Sequence, residues 1–209
     1  MFVQLVRDVL FPLFCTVCTT EGVYVCESCI PYDQIHMKTD VLDTNLESIS
    51  SVFDFHEPFI ERMLHALKYE FIDEAWDCLS KMLQKSIDVS VFSGIDVLIP
   101  IPLHKRRFAE RGFNQSMKIA QIISHLTQIP IAEPLQRVKY TKQQARLHRL
   151  DRLKNVDSAF EVIPSHTMYT SAMIIDDVYT TGSTMQACAT ILRDFEVCRR
   201  VYGFSLARG

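Results

Sequence analysis

The sequence predicts an α/β fold in which a parallel sheet has helices on both faces, with a small four-cysteine segment before it. Short apolar runs alternate with stretches of helical periodicity. The runs are apolar throughout, as in strands that are buried on both faces. Hydrophobic residues make up 48% of the 209 residues and charged residues 22%. This composition is typical of a globular protein and excludes the disordered and collagen-like classes.

The order of the elements supports this fold. The predicted strands are apolar runs bounded by Pro or polar residues, and they cover 51–55, 96–101, part of 130–138, 173–175 and 201–206. The predicted helices have apolar residues at helical spacing, and they cover 1–10, 57–68, 73–88, 114–128 and 183–195. We interpret the polar segment 32–48 as a linker or as an excursion from the fold. The predicted domains are therefore 1–48, with a helix, a ribbon at 13–31 and the linker, and 49–209, the α/β domain.

The sequence contains no apolar run close to the roughly 18 residues that a membrane-spanning helix needs. The apolar N-terminus has Arg7 and Asp8 in its middle and lacks the small-residue cleavage site of a signal peptide. We therefore expect a soluble, cytoplasmic protein without a membrane span.

Four of the seven cysteines form two Cys-x2-Cys pairs, Cys15 with Cys18 and Cys26 with Cys29. Each pair can chelate from one tight turn, and four thiolates complete the tetrahedral coordination of a structural zinc ion. Two disulfides are one alternative, and a redox Cys-x2-Cys motif, which explains a single pair, is another. Because the cytoplasm keeps thiols reduced, we favour zinc. Cys78, Cys188 and Cys198 are isolated and are expected to be buried apolar residues.

The formal net charge of −3 hides a strong asymmetry. Between His104 and Lys154 the chain has twelve Lys or Arg and three acidic residues, a local balance of +9. A basic middle in an acidic protein predicts an anionic ligand such as phosphate, pyrophosphate or nucleic acid; the alternative is a solvated basic face. Four basic residues within seven positions favour the ligand, and they are Lys105, Arg106, Arg107 and Arg111.

The segment from Asp176 to Thr184 is the most informative. It follows an apolar strand, and ligands of open parallel sheets bind beyond the carboxyl ends of strands. Gly182 permits close approach of the backbone to an anion. The free amides at the start of the following helix also favour the binding of an anion. The carboxylates of Asp176 and Asp177 accept hydrogen bonds from hydroxyl groups. A ribose 5-phosphate, a diol next to a phosphate, matches both halves of the segment.

Two other interpretations of this segment stay open. One is a magnesium site of the receiver or nucleotide-hydrolase type, and the other is a plain Ser/Thr cluster that caps a helix. The sequence has no Gly-x4-Gly-Lys-Ser/Thr, Gly-x-Gly-x2-Gly or Gly-x-Ser-x-Gly motif. P-loop, dinucleotide and serine-hydrolase chemistry are therefore not expected.

The run Asp-Asp-Val-Tyr-Thr-Thr-Gly-Ser-Thr at 176–184 resembles the phosphoribosyl pyrophosphate (PRPP) binding motif of type I phosphoribosyltransferases. The whole chain resembles one branch of these proteins, the competence protein F (ComF, ComFC, GntX-like) family. The further motifs that it shares are Phe11-Pro12, Cys15-x2-Cys18, Leu67-Lys68-Tyr69, Pro102 to Arg107, Arg111-Gly112-Phe113-Asn114-Gln115, Thr141-Lys142-Gln143-Gln144 and Leu206-Ala207-Arg208. The chain departs from the family at Glu70-Phe71, where a glycine is common, and in the loop 143–148.

The resemblance implies a type I phosphoribosyltransferase-like fold. Asp176 and Asp177 would be the catalytic pair that holds the ribose hydroxyls, and Mg²⁺ would bridge the diol and the pyrophosphate. The segment 139–155 would be a mobile loop that closes over the site. The PRPP-binding residues would be Asp176, Asp177, Val178, Tyr179, Thr180, Thr181, Gly182, Ser183 and Thr184. The pyrophosphate-binding residues would be Lys105, Arg106, Arg107 and Arg111.

The resemblance implies one of two functions in the uptake of transforming DNA. The first is an enzyme in which an unidentified acceptor displaces pyrophosphate from PRPP, mainly through electrostatic stabilisation. The second is a non-catalytic accessory protein that contacts single-stranded DNA or a helicase-like DNA-translocating competence protein. In that case the fold is a sensor or scaffold. Lys68 and Tyr69 either face the acceptor, or Lys68 is an ordinary snorkelling lysine on an amphipathic helix.

Overall fold

A five-stranded sheet forms the centre of the protein, in a computed structural model that describes residues 12–69, 73–139, 159–164 and 167–209. The described strands are β1 (Lys38–Val41), β2 (Ser48–Asp54), β3 (Val97–Pro100), β4 (Leu135–Arg137), β5 (Phe160–Val162), β6 (Tyr169–Tyr179) and β7 (Cys198–Arg208). The order in the main sheet is β1-β2-β7-β6-β3. All its neighbouring strands are parallel except β1 and β2, which are antiparallel.

Helices pack on both faces of this sheet. The described helices are α1 (Pro58–Tyr69), α2 (Asp73–Ser86), α3 (Lys105–Arg111), α4 (Gln115–Thr127) and α5 (Ser183–Asp194). One buried cluster joins the sheet to α1, α2 and α4, with Met63, Leu79 and Ile119 among its members. A second cluster on the other face includes Met185 and Leu192 of α5. The predicted fold class, a mostly parallel sheet between helices, is confirmed.

The three isolated cysteines lie in these cores, as predicted. Cys78 belongs to the first cluster, and Cys188 and Cys198 belong to the second. All three are buried free thiols. Burial raises the pKa of the Cys78 and Cys198 thiols to about 11, which keeps both protonated and unreactive at neutral pH.

The interpretation of 32–48 as a linker is wrong for residues 38–41, which form the edge strand β1. Its register places Lys38 opposite Ser51 and Val41 opposite Ser48. β1 is mostly exposed, and backbone hydrogen bonds hold an edge strand whatever the polarity of its side chains. Hydropathy therefore contained no sign of it. The division of the chain at residue 48 stays a prediction.

The strand expected within 130–138 exists as β4, but it lies outside the main sheet. β4 pairs with β5 in a separate antiparallel ribbon. The sequence analysis did not predict β5, which has only three residues. It also did not predict α3, because this short helix is mostly basic and has no stripe of apolar residues. The predicted helix 1–10 and nearly all of the predicted loop 139–155 lie outside the described residues.

The four-cysteine segment packs against the α/β domain. Cys15, Tyr24 and Ile30 share the buried cluster that contains α1 and α2. At the surface, Lys85 of α2 forms an ion pair with Glu27. Among the described helices, none combines the length and apolar composition needed to span a membrane.

Candidate functional site

The carboxyl ends of β3 and β6 lie side by side at one edge of the sheet. Pro100 is opposite Ile175, and the amide of Ile101 donates a hydrogen bond to the carbonyl of Ile175 (3.0 Å). β6 is longer than predicted, because Val178 and Tyr179 still pair with β7. Asp176 and Asp177 therefore belong to the last residues of a strand, next to the turn that leads into α3.

The carboxyl group of Asp176 is partly buried and held by the protein. Its Oδ1 accepts hydrogen bonds from the hydroxyl of Ser116 (3.0 Å) and the amide of Asp177 (2.9 Å). Burial, followed by the charge of Asp177, raises the pKa of Asp176 to about 7. Asp176 therefore changes charge near neutral pH, as residues of functional sites often do.

Asn114 places Ser116 beside Asp176. The Asn114 side chain accepts a hydrogen bond from the amide of Ser116 (3.0 Å), which caps α4, and donates one to the carbonyl of Ile101 (3.0 Å). Gly112, with φ +73°, ends α3 just before this cap. The Arg-Gly-Phe-Asn-Gln motif thus links the end of β3 to the first turn of α4, which reaches Asp176.

Asp177 forms an ion pair with Lys68, from the last turn of α1. The distance from Lys68 Nζ to Asp177 Oδ2 is 2.6 Å, and the side chains are only 16% and 19% exposed. Lys68 is therefore not an ordinary snorkelling lysine, because its ammonium group faces the acidic pair. The side chain of Tyr69 lies outside the described part of the chain.

The loop after Asp177 ends at the N-terminus of α5. Gly182 has φ +73° and precedes the helix without a capping side chain. The hydroxyls of Thr181 and Ser183 are hydrogen bonded to each other (2.6 Å). A Cβ on Gly182 would lie 2.5 Å from the hydroxyl oxygen of Tyr179. Glycine is therefore required both by the backbone angle and by the tyrosine ring.

The four predicted basic residues all lie on α3, beside the end of β3. Lys105 and Arg106 are exposed, whereas Arg107 and Arg111 are half-buried. Arg106 forms an ion pair with Glu110 of the same helix (3.3 Å). The structure thus gathers these residues on one short helix at the carboxyl edge.

Sequence reasoning missed Arg137 as a candidate site residue. It lies on β4, with its guanidinium carbon 5.2 Å from the centre of the Phe160 ring. Burial lowers the pKa of Arg137, the nearby charge of Arg107 lowers this pKa further, and the charge of Asp176 raises it. These effects indicate that the guanidinium group of Arg137 lies near both Asp176 and Arg107. The basic middle of the chain was the only sequence feature that could have indicated Arg137.

The four paired cysteines form one cluster. The sulfur atoms of Cys15, Cys18, Cys26 and Cys29 all lie within 4.8 Å of one another, and none forms a disulfide. Zinc–sulfur bonds of about 2.3 Å in a tetrahedron place the sulfurs about 3.8 Å apart. The amide of Cys26 also donates a hydrogen bond to the sulfur of Cys15 (3.4 Å). The group can therefore hold a metal ion such as zinc.

The fold and the cysteine cluster define an α/β protein with a four-cysteine group suited to a metal ion. Competence protein F of Haemophilus influenzae is 30% identical over 208 residues, which cover 95% of this chain and 85% of that protein. The chain belongs to the competence protein F family. No family model matches the chain.

Two other relatives match shorter parts. DNA utilization protein YhgH of Salmonella typhi is 31% identical over 152 residues, 70% of this chain and 66% of that protein. Competence protein ComFC of Bacillus subtilis is 34% identical over 112 residues, 54% of this chain and 44% of that protein.

Two solved structures also show similarity to the chain. One is a purine phosphoribosyltransferase from Pyrococcus horikoshii, at 14% identity and a TM-score of 0.35, with 68% of this chain and 86% of that one covered. The other is an adenine phosphoribosyltransferase from Leishmania tarentolae, at 10% identity and a TM-score of 0.40, with 82% and 94% covered. Similarity at this level says nothing about the ligand of this protein.

Proposed function

We propose that the protein binds PRPP with Mg²⁺ at the carboxyl edge of its sheet, holds a structural zinc ion in its four-cysteine group, and takes part in the uptake of transforming DNA. The observation that supports PRPP as the ligand is the acidic pair Asp176–Asp177, which lies beside the N-terminus of α5. The role in DNA uptake is supported by the names of the relatives, which are competence and DNA utilization proteins.

The acidic pair has two carboxylate oxygens to offer to a diol. Asp176 Oδ1 accepts from Ser116 and from the backbone, and Asp177 Oδ2 accepts from Lys68. The other oxygen of each carboxylate can then accept a hydrogen bond from one of two adjacent ribose hydroxyls. Hydrogen bonds of this kind to a charged group contribute roughly 1.5–3 kcal/mol each.

The loop from Thr180 to Thr184 suits the 5-phosphate of the same ligand. The first amides of α5 have no partner within the helix, and the helix dipole favours an anion there. The hydroxyl groups of the loop add further donors. Two carboxylates would repel a lone phosphate, but they match a phosphate that is attached to a diol.

Basic residues suit the pyrophosphate group. Lys105 and Arg107 lie on α3, which follows the end of β3, and the charge of Asp176 acts on Arg137 of β4. Mg²⁺, which keeps several waters and needs few protein ligands, would add positive charge for the pyrophosphate. In catalysis an acceptor would form a bond to C1 while the bond from C1 to the pyrophosphate oxygen breaks. Pyrophosphate would leave with the electron pair, and its charge would be stabilised by the basic residues and Mg²⁺.

Calorimetric titration with PRPP and Mg²⁺ tests the ligand. We expect Asp177→Ala to weaken binding about ten- to a hundredfold, since one charged hydrogen bond is lost. Asp194→Asn is the matched control, because it removes an exposed carboxylate at the far end of α5. Ribose 5-phosphate should compete, and inorganic phosphate should compete poorly. Absence of PRPP binding at millimolar concentration, or equal binding by an Asp176→Ala/Asp177→Ala variant, would contradict this assignment.

Contact with single-stranded DNA is a second candidate function, favoured by α3. This helix exposes Lys105 and Arg106 together with Phe108, which is 51% exposed. Basic and aromatic groups together suit the backbone and bases of a single strand. Reversal of the charges of Lys105 and Arg106 should lower the affinity for single-stranded DNA and should make this affinity less dependent on salt concentration. The same reversal at Arg199 and Arg200, exposed at the opposite edge of the sheet, is the control. Binding that does not change with salt would contradict an electrostatic contact.

A further inference from the structure

The ion pair between Lys68 and Asp177 differs from the other described ion pairs in its burial. Its side chains are 16% and 19% exposed. In the other described pairs, which include Arg193 with Glu47, each side chain is 37% or more exposed. Desolvation of two charges opposes their attraction, so a pair of this kind is weak evidence for a role in stability alone. The pair also lies at the acidic site, because Asp177 follows Asp176 directly.

Lys68 reaches the acidic pair from a separate layer of the fold. It lies in the last turn of α1, 109 positions before Asp177 in the sequence. The buried residues Met63, Leu64 and Leu67 anchor α1 in the core below it. The packing of α1 therefore fixes the backbone of Lys68, from which the ammonium group reaches Asp177 Oδ2.

The charge of Lys68 also acts on Asp176. It lowers the pKa of Asp176, in opposition to burial and to the charge of Asp177, which raise it. Among the described residues, Ser116 of α4 donates a hydrogen bond to Asp176, and the charge of Asp176 acts on Arg137 of β4 and Cys188 of α5. Without Lys68, the hydrogen bonds from Ser116 and from the amide of Asp177 would remain to lower the pKa of Asp176, but no ammonium group would offset the charge of Asp177. The pKa of Asp176 would then be higher, and a larger fraction of Asp176 would be protonated at neutral pH, in which form it is a weaker acceptor.

We propose that Lys68 is a positioning residue for diol recognition: it holds the Asp177 carboxylate in place and favours the ionised form of Asp176, so that the pair can accept hydrogen bonds from two adjacent hydroxyls of the ligand. This role rests on the proposed function, because the diol is that of the ribose. In this role Lys68 supports the binding of the sugar and does not contact the pyrophosphate or the acceptor.

Titration of Lys68→Met with two ligands tests this assignment. PRPP and ribose 5-phosphate share the diol and the 5-phosphate, and only PRPP has pyrophosphate. We expect the variant to bind both about tenfold more weakly than the wild-type protein at pH 7, by the same factor. At pH 9, where Asp176 is ionised in both proteins, the loss should shrink to threefold or less. Lys68→Arg should keep the wild-type pH profile, and Lys118→Met, an exposed lysine of α4, is the control.

Carbon-13 NMR of the Asp carboxyl groups provides a second measurement that needs no ligand. The Asp176 carboxyl should titrate at a higher pH in Lys68→Met than in the wild-type protein. It should be unchanged in Lys118→Met. Far-ultraviolet circular dichroism checks that each variant is folded. An unchanged Asp176 titration in folded Lys68→Met overturns the proposal.

The binding results separate the remaining possibilities. A loss confined to PRPP would make Lys68 a pyrophosphate contact and overturn the positioning role. Equal binding by the variant and the wild-type protein would also overturn it, while the proposed function would stand. If the wild-type protein binds neither ligand, the proposed function fails, and the positioning role fails with it.

Discussion

The four-cysteine group and the site at the carboxyl edge are built in opposite ways. The cysteine group uses four side chains within 15 consecutive residues, Cys15 to Cys29. The carboxyl edge brings together α1, α4, β6 and α5, whose site residues extend from Lys68 to Thr184. We therefore expect that the local group can be lost without the loss of the main sheet, whereas the carboxyl edge requires the assembled sheet and its helices.

The largest effect is expected at the cysteine group. Metal analysis of the purified protein should give about one zinc per chain. Cys26→Ser should strongly lower the zinc content, because the tetrahedral site loses one of its four ligands. Cys198→Ser, a buried cysteine outside the group, is the control. Chelation should increase hydrogen exchange in residues 12–30 and leave β6 and β7 protected. Exchange that rises equally in both regions would show that the two sites are not independent.

The second effect concerns Gly182, at the carboxyl edge. We expect Gly182→Ala to cost about 2–4 kcal/mol of unfolding free energy, because the new Cβ is strained by its φ and collides with the Tyr179 ring. Gly94→Ala is the matched control, since Gly94 has φ +74° and open space around its Cβ. It should cost about 1–2 kcal/mol. If thermal or urea unfolding shows the same cost for Gly182→Ala and Gly94→Ala, the Tyr179 ring moves aside without an energetic cost.

The third prediction concerns the pH dependence of stability. The folded protein holds the Asp176 proton more tightly than the unfolded chain, because the folded pKa is about 7 against an ordinary value of 3.8. The contribution of Asp176 to the unfolding free energy should therefore fall as the pH rises from about 4 to 7. Each pKa unit corresponds to about 1.4 kcal/mol, so the fall is on the order of 2–4 kcal/mol. Urea unfolding of Asp176→Asn should lack this component, and unfolding of Asp194→Asn should retain it.

The smallest effect is expected at Ser116. Ser116→Ala removes one hydrogen bond to Asp176 Oδ1, and PRPP affinity at pH 7 should fall roughly three- to tenfold. Ser124→Ala, in the same helix, removes a hydroxyl that donates to the carbonyl of Ile129 (2.6 Å). It should lower stability without changing PRPP affinity. If both variants bind equally well, Ser116 has no part in holding Asp176 for the ligand.

Local patterns in the sequence determined the four-cysteine group and the strand, loop and helix order around Asp176. The spacing of two Cys-x2-Cys pairs and the apolar run before an acidic pair are contained in short windows, because chelation and strand burial depend on neighbouring residues. These parts could be predicted, as could the parallel sheet. The positions of β1 and α3 could not, because their polar side chains contain no apolar pattern.

Only the tertiary structure decided which distant groups meet at the carboxyl edge. The periodicity of α1 predicted a helix but not the direction of Lys68, which could have extended into water. The same holds for Arg137, which lies on β4 outside the main sheet and whose pKa is lowered by burial and raised by the charge of Asp176. Such contacts join residues far apart in the chain, and they depend on how helices and strands pack. The hydropathy of a short segment contains no information about that packing.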